Sequence, residues 1–209
     1  MKLFQIALLI STFLSCRENF RYSIKKEEKI LLDDSSCKIV SYYPVIGFKN
    51  NDSVMNELNK NLSVINSLER YVVDCSTFFS PEYSKEKKEI IGDYKILFET
   101  DTLLNMEFVV QSKYLSKKEY RSVFIDLIKG QLIEGHQVIP NIDRSKLYPY
   151  VKKFSDSTGI YINLKAYEKE SNYSIMFGKT KNDFVLYLGK EGEFGGYYKL
   201  SIPWKEISN

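Results

Sequence analysis

Apolar and polar positions recur along the chain in patterns that predict strands and one long helix. Residues 38–46 are rich in β-branched and aromatic side chains and predict a strand, which Pro44 places at an edge or a bend. The polar residues 50–53 can cap a helix, and apolar residues then recur every three or four positions. The apolar face consists of Val54, Leu58, Leu62, Ile65, Leu68 and Val72. We therefore predict a helix from about Asp52 to Val72.

The rest of the chain predicts shorter strands joined by local turns. These strands span 93–100, 104–111, 121–127, 173–177, 184–188 and 197–202. The first two would pair around Asp101, and a second helical stretch begins near Asp143, where Pro149 would delay it. The pattern predicts an α+β fold: a largely antiparallel sheet packed by one long amphipathic helix and a shorter second helix.

The first sixteen residues have the pattern of an export signal. Lys2 is followed by an apolar run of roughly a dozen residues, which suits a signal peptide and falls short of the ~20 residues of a membrane-spanning helix. Ser15 directly before Cys16 suits a lipoprotein signal peptidase, although Phe13 stands where Leu is commoner. An ordinary cleaved signal peptide and a buried N-terminal helix are the alternatives to lipidation.

These features predict three segments. Residues 1–15 would be the signal peptide, residues 16–36 a lipidated Cys16 with a polar tether, and residues 37–209 a single domain. The lipid would anchor the exported protein to a bacterial membrane, facing the periplasm or the outside.

Composition and charge restrict the partners. Hydrophobic residues make up 44% of the chain, so the domain can bury a core. The net charge is only +3, and neither Lys85–Glu89 nor Ser116–Lys118 is long enough to form a nucleic-acid surface. We therefore expect no nucleic-acid partner.

Cys37 and Cys75 remain as a pair once Cys16 is assigned to the lipid. A strand running out from Cys37 and a helix returning over Asp52–Val72 each cover about 30 Å, which would bring the two thiols together. We predict a disulfide between them, with two separate buried thiols as the alternative.

Candidate catalytic residues are few. His136 has no neighbouring cysteine or histidine with metal-ligand spacing, and we interpret it as an exposed loop residue. Glu191 and Glu193 could act as the carboxylates of a glycosidase, but a solvated hairpin is favoured because their glycine-rich surroundings offer no apolar pocket. We expect no catalytic residues, no metal and no cofactor.

Aromatic residues gather near the C-terminus. Tyr and Trp are enriched where proteins hold partners, and they also stack on sugars. Core packing is the competing interpretation of these side chains. The candidate binding residues are Phe194, Tyr197, Tyr198 and Trp204.

Four stretches resemble, in this order, one family of exported domains. They are Tyr43–Val45 before the predicted helix, Phe124–Gln131, Phe184–Leu188 and Gly196–Trp204. Over about residues 37–207 the chain is similar to the α+β domain that forms the lysozyme-binding ectodomain of certain anti-sigma factors. The same type of domain stands beside the catalytic domain of peptidoglycan deacetylases and occurs alone in lipoproteins of unknown function.

The chain also departs from that family. Ser116–Tyr120 replaces the family's Gly-Ala-His-type segment, and the sequence contains neither a deacetylase domain nor a sigma-binding segment. The resemblance therefore implies a binding domain without deacetylation or sigma-factor control. We expect a non-catalytic envelope lipoprotein that binds a protein such as lysozyme, or a cell-wall glycan. A cell-wall glycan hydrolase and a structural or assembly lipoprotein are the alternatives.

Overall fold

Two β-sheets dominate the computed structural model, which describes residues 22–48, 52–78, 87–112, 118–139, 142–168, 175–189 and 198–207. The first sheet has six strands and curls into half a barrel. In order across the sheet these are β1 (Tyr22–Asp33), β2 (Cys37–Phe48), β3 (Lys88–Glu99), β4 (Leu103–Ser112), β5 (Glu119–Asp126) and β6 (Gln131–Ile133). The second sheet contains β7 (Met176–Lys179), β8 (Asp183–Leu188) and β9 (Tyr198–Pro203).

The helices in these ranges are short. They are α1 (Asp52–Ser63), α2 (Glu69–Phe78), α3 (Gly135–Val138), α4 (Tyr148–Thr158) and α5 (Trp204–Ile207). Asp143 caps a 3-10 turn at Arg144–Lys146, and α4 follows with Pro149 in its first turn, where the missing N–H is not needed. Among the described helices, none has the length and apolar character required to cross a membrane.

The expected α+β fold with one long amphipathic helix is wrong, and the protein is mostly β. The predicted helix from Asp52 to Val72 is broken between α1 and α2, where Ser67 has a φ of 47°. The break lets the two helices bury different surfaces: Leu62 of α1 joins the core cluster of β4 and β5, whereas Tyr71 of α2 joins the cluster around Cys37. Apolar spacing continues across the break and therefore does not reveal it.

β1 occupies residues that the sequence predicts as a polar tether. It pairs antiparallel with β2 from Tyr22 to Asp33, and Asp34 Oδ1 closes the hairpin by accepting from the Cys37 N–H at 2.7 Å. Residues 25–29 are all charged and exposed, so the strand lacks the alternation by which strands are recognised. The tether prediction is wrong for residues 22–36, while Cys16 and the rest of the predicted signal and tether lie outside the described residues.

The local predictions for β3, β4, β5, β8 and β9 are confirmed. β3 and β4 form an antiparallel hairpin around Asp101, and β5, β8 and β9 lie within a few residues of their predicted positions. In the described sheets the strand pairs are antiparallel except for β2 and β3, which run parallel where Cys37–Ser41 faces Lys88–Gly92.

Cys37 and Cys75, the predicted pair, are joined in a disulfide with their Cα atoms 6.1 Å apart. Cys37 opens β2 and Cys75 lies in α2, and both are buried. The chain runs away from Cys37 along β2 and comes back through α1 and α2. The break between the two helices does not change this direction, so Cys75 still reaches Cys37.

Replacing both cysteines by alanine should lower the free energy of unfolding by about 4 kcal/mol, because the bond closes a loop of 38 residues in the unfolded chain. Denaturant unfolding of the oxidised protein and the Cys37→Ala/Cys75→Ala variant measures this difference. A loss below about 1 kcal/mol would show that the cross-link does not constrain the unfolded chain.

Candidate functional site

A glutamate lies buried in the middle of β4. Leu104, Met106 and Phe108 of this strand point into the core that contains α1, so Asn105 and Glu107 point to the opposite face of the sheet. That face is covered by the second sheet, and Glu107 is only 2% exposed. A carboxylate buried to this degree requires charged or hydrogen-bonding partners.

Three side chains from three strands contact Glu107. Lys95 Nζ of β3 lies 2.9 Å from Oε1, and Lys199 Nζ of β9 lies 2.8 Å from Oε2. The Tyr187 hydroxyl of β8 donates to Oε2 at 2.6 Å. Lys95 is the cross-strand partner of Glu107, and Tyr187 is the partner of Lys199 in the second sheet. We call these four residues the Glu107 cluster.

A second polar contact joins the two sheets at Asn105. Its Nδ2 donates to Ser122 Oγ at 2.9 Å, and its Oδ1 accepts from the Lys179 backbone N–H at 2.7 Å. Gly178 permits this approach, because a Cβ there would lie 3.1 Å from both Asn105 Oδ1 and Ser122 Oγ. The two contacts together fix β7, β8 and β9 against the first sheet.

Burial and hydrogen bonding set the charges in the Glu107 cluster. Burial opposes ionisation of Glu107, but the bonds from Lys199, Lys95 and Tyr187 outweigh it and lower the pKa of the carboxyl. Burial lowers the pKa of the Lys199 ammonium despite its contact with Glu107, and the nearby Lys95 charge adds to this. Burial and then the Glu107 carboxylate raise the pKa of Tyr187 far above its usual range, so the hydroxyl remains a donor.

The cluster reaches solvent on one side. The Lys95 side chain is 56% exposed, and the half-buried Tyr120 ring lies 6.0 Å from the Tyr187 ring. Because two ammonium groups share one carboxylate, the site carries one net positive charge next to an aromatic ring. Such an arrangement can bind an acidic group of a ligand.

The single histidine is exposed, as predicted. His136 lies in the short helix α3, with Nδ1 3.0 Å from Glu134 Oε2. In the part of the chain that the structure describes, no three His, Cys, Asp or Glu side chains are grouped so that they could hold a metal ion. Glu191 and Glu193 lie outside that part.

Two of the four candidate aromatic residues can be placed. Tyr198 packs on Phe154 of α4 with ring centroids 5.8 Å apart. Trp204 packs edge-on against Phe184 at 5.7 Å, and its Nε1 donates to the Thr180 carbonyl at 3.3 Å. Both rings therefore contribute to packing behind the second sheet. Phe194 and Tyr197 lie outside the described residues, so binding by the four aromatics stays a prediction.

The sequence contained one usable signal for the Glu107 cluster. Asn105 and Glu107 interrupt an apolar run from Leu103 to Val110, and Lys95 stands opposite Glu107 in the predicted hairpin around Asp101. A buried ion pair could have been inferred from these positions. The contacts of Tyr187 and Lys199 with Glu107 could not have been inferred from the sequence, because only the packing of the second sheet creates them.

Solved structures that are similar to this chain include two proteins of the DUF3298 family. No model of a known protein family matches the sequence, and no curated protein matches it. The crystal structure of a DUF3298 family member from Bacteroides fragilis NCTC 9343 aligns with 90% of this chain and 91% of its own, at 10% identity and a TM-score of 0.47. A DUF3298 family protein from Pseudomonas aeruginosa PAO1 aligns with 90% of this chain and 93% of its own, at 8% identity and a TM-score of 0.43.

The variant Glu107→Gln should lower the free energy of unfolding by about 3 kcal/mol at neutral pH, because it leaves two ammonium groups facing each other without a carboxylate. Denaturant unfolding at pH 7 measures the loss. The matched control is Asp156→Asn, which removes the exposed pair with Lys152 and should leave the free energy of unfolding nearly unchanged.

The cost of Glu107→Gln should also depend on pH. Since folding lowers the pKa of Glu107, its stabilisation is complete above the ordinary value of 4.5 and is lost as the pH falls through the folded pKa. The difference between wild type and variant should therefore shrink in acid. An equal difference at pH 7 and in strong acid would mean that the lost stability comes from packing instead of charge.

Proposed function

We propose that this protein is a non-catalytic lipoprotein of the bacterial cell envelope. Its domain would bind a cell-wall glycan or a protein by contacting an acidic group of that ligand. The observation that carries the binding role is the Glu107 cluster, which places one net positive charge beside the Tyr120 ring at the surface. A lipid on Cys16 would hold the domain at a membrane.

The chemistry of the cluster favours a ligand with both a carboxylate and a flat apolar surface. Lys95 can reach a bound acid because most of its side chain is in solvent. A tyrosine ring such as Tyr120 can contact the apolar face of a sugar. Peptidoglycan fragments carry both groups. A basic protein such as lysozyme would meet like charge at Lys95 and would have to use another surface.

The protonation states in the cluster support binding instead of catalysis. A general acid at neutral pH needs a carboxyl with a raised pKa, whereas the pKa of Glu107 is lowered. Two ammonium groups and one hydroxyl already donate to its two oxygens, which makes the carboxylate a weak base toward a ligand. The Lys199 ammonium donates to the same carboxylate and is therefore not a free nucleophile.

Three features support export. The N-terminal pattern ends in Ser15 and Cys16, and the resemblance to exported domains covers most of the rest of the chain. The disulfide between Cys37 and Cys75 is typical of proteins that fold in an oxidising compartment.

Calorimetric titration with soluble peptidoglycan fragments tests the binding role. Lys95→Gln should weaken the affinity about tenfold, because a charge-assisted hydrogen bond is worth about 1.5 kcal/mol or more. The control Lys152→Gln also removes an exposed lysine from an ion pair, but on α4, which contributes no residue to the cluster, and it should bind as the wild type does.

Other results would favour the competing functions. Binding of lysozyme but not of glycan fragments would identify a protein partner. Release of muropeptides by the wild type would favour a hydrolase that uses Glu191 and Glu193. If neither peptidoglycan fragments nor lysozyme bind in calorimetric titrations, the binding proposal is wrong and a structural or assembly role remains.

The anchor is tested by mass spectrometry of the mature protein purified from bacterial membranes. We expect an N-terminal Cys16 that carries a diacylglycerol group, and we expect Cys16→Ser to release the protein from the membrane fraction. An unmodified Cys16 would contradict the anchor without affecting the binding test.

A further inference from the structure

The position of β1 limits how far the domain can lie from a lipid on Cys16. Only residues 17–21 separate Cys16 from Tyr22, where β1 begins. A fully extended chain spans at most 3.3–3.6 Å per residue, so the start of β1 lies within about 20 Å of the lipid. This inference rests on the proposed anchor. The end of the domain that contains Tyr22 must then face the bilayer.

Two turns of the first sheet lie at the same end as Tyr22. The Tyr22 hydroxyl donates to the carboxylate of Glu99, at the end of β3. The β3–β4 turn follows directly, and its Thr102 carbonyl accepts from the Leu127 N–H at 2.8 Å. Leu127 begins the β5–β6 turn, which spans residues 127–130. The β5–β6 turn is therefore beside the point where the chain arrives from the anchor.

The β5–β6 turn presents an apolar side chain to solvent. Ile128 is 76% exposed, more than any other large hydrophobic residue in the described ranges. Asp126 Oδ1 accepts from the backbone N–H groups of Ile128 and Lys129 at 2.9 Å each, and Gly130 closes the turn with a φ of 64°. Because these bonds fix the backbone, Ile128 is held outward instead of folding back onto the core.

We propose that Ile128 inserts into the headgroup region of the membrane and sets the orientation of the anchored domain. The occupant of this surface is lipid because the short connection to Cys16 brings the bilayer to it. An exposed isoleucine gains free energy when it leaves water for the headgroup region.

The charges around the turn are mostly negative, so the contact with lipid would depend on the apolar side chain and not on electrostatic attraction. Glu99, Asp101 and Asp126 lie around the turn, and Lys129 Nζ is 3.9 Å from Asp126. These acidic groups give no attraction to anionic headgroups. Insertion should therefore be no stronger in vesicles with phosphatidylglycerol added than in vesicles of phosphatidylcholine alone.

The test uses the full lipidated protein with an environment-sensitive NBD dye on a cysteine introduced as Ile128→Cys. Cys37 and Cys75 are bonded to each other and do not react. The matched control is Ile30→Cys, since Ile30 is 52% exposed but lies toward the other end of β1 from Tyr22. The dye at position 128 should shift to shorter wavelength on vesicles and be quenched by spin-labelled headgroups, and the dye at position 30 should do neither.

Each other outcome contradicts the inference. An aqueous spectrum at position 128 in protein whose Cys16 carries the lipid would overturn insertion and leave the anchor intact. Equal shifts at both positions would show that the dye itself enters the membrane and that the anchored domain has no fixed orientation. An unmodified Cys16 in the mass spectrum would remove the anchor, and the insertion with it.

Discussion

Glu107 is buried between two sheets, and its carboxylate is shared by groups that come from both of them. The cost of removing this charge from water is offset only when Lys95, Lys199 and Tyr187 all reach it. A shift of the second sheet by one residue would turn Tyr187 and Lys199 to the other face and leave the charge without two partners. The cluster therefore selects one placement of the sheets, which apolar packing alone would specify less sharply.

Much of the fold could be predicted from local pattern, and the errors have identifiable causes. Alternation and turn residues located the β3–β4 hairpin and the C-terminal strands because both signals are local. The break near Ser67 was missed because the apolar spacing is the same whether two helices share one core or use two. β1 was missed because its central residues are exposed on both faces.

The candidate site was less predictable than the fold. Lys95 and Glu107 are neighbours through one hairpin, so their pairing is within reach of sequence analysis. Tyr187 is 80 positions from Glu107, and no periodicity reports such a contact. The disulfide was predictable for a geometric reason: a break in the helix does not change the direction in which the chain returns to Cys37.

β2 and β3 run parallel, so their first paired residues, Cys37 and Lys88, meet only when a long crossover closes. In a reduced chain that loop has about 50 residues, but once Cys37 is bonded to Cys75 about 13 remain, and the closure entropy falls by about 1 kcal/mol. The chain would thus assemble slowly while its thiols are reduced and faster after oxidation. In the exported protein that we propose, oxidation would therefore favour closure of this crossover after translocation.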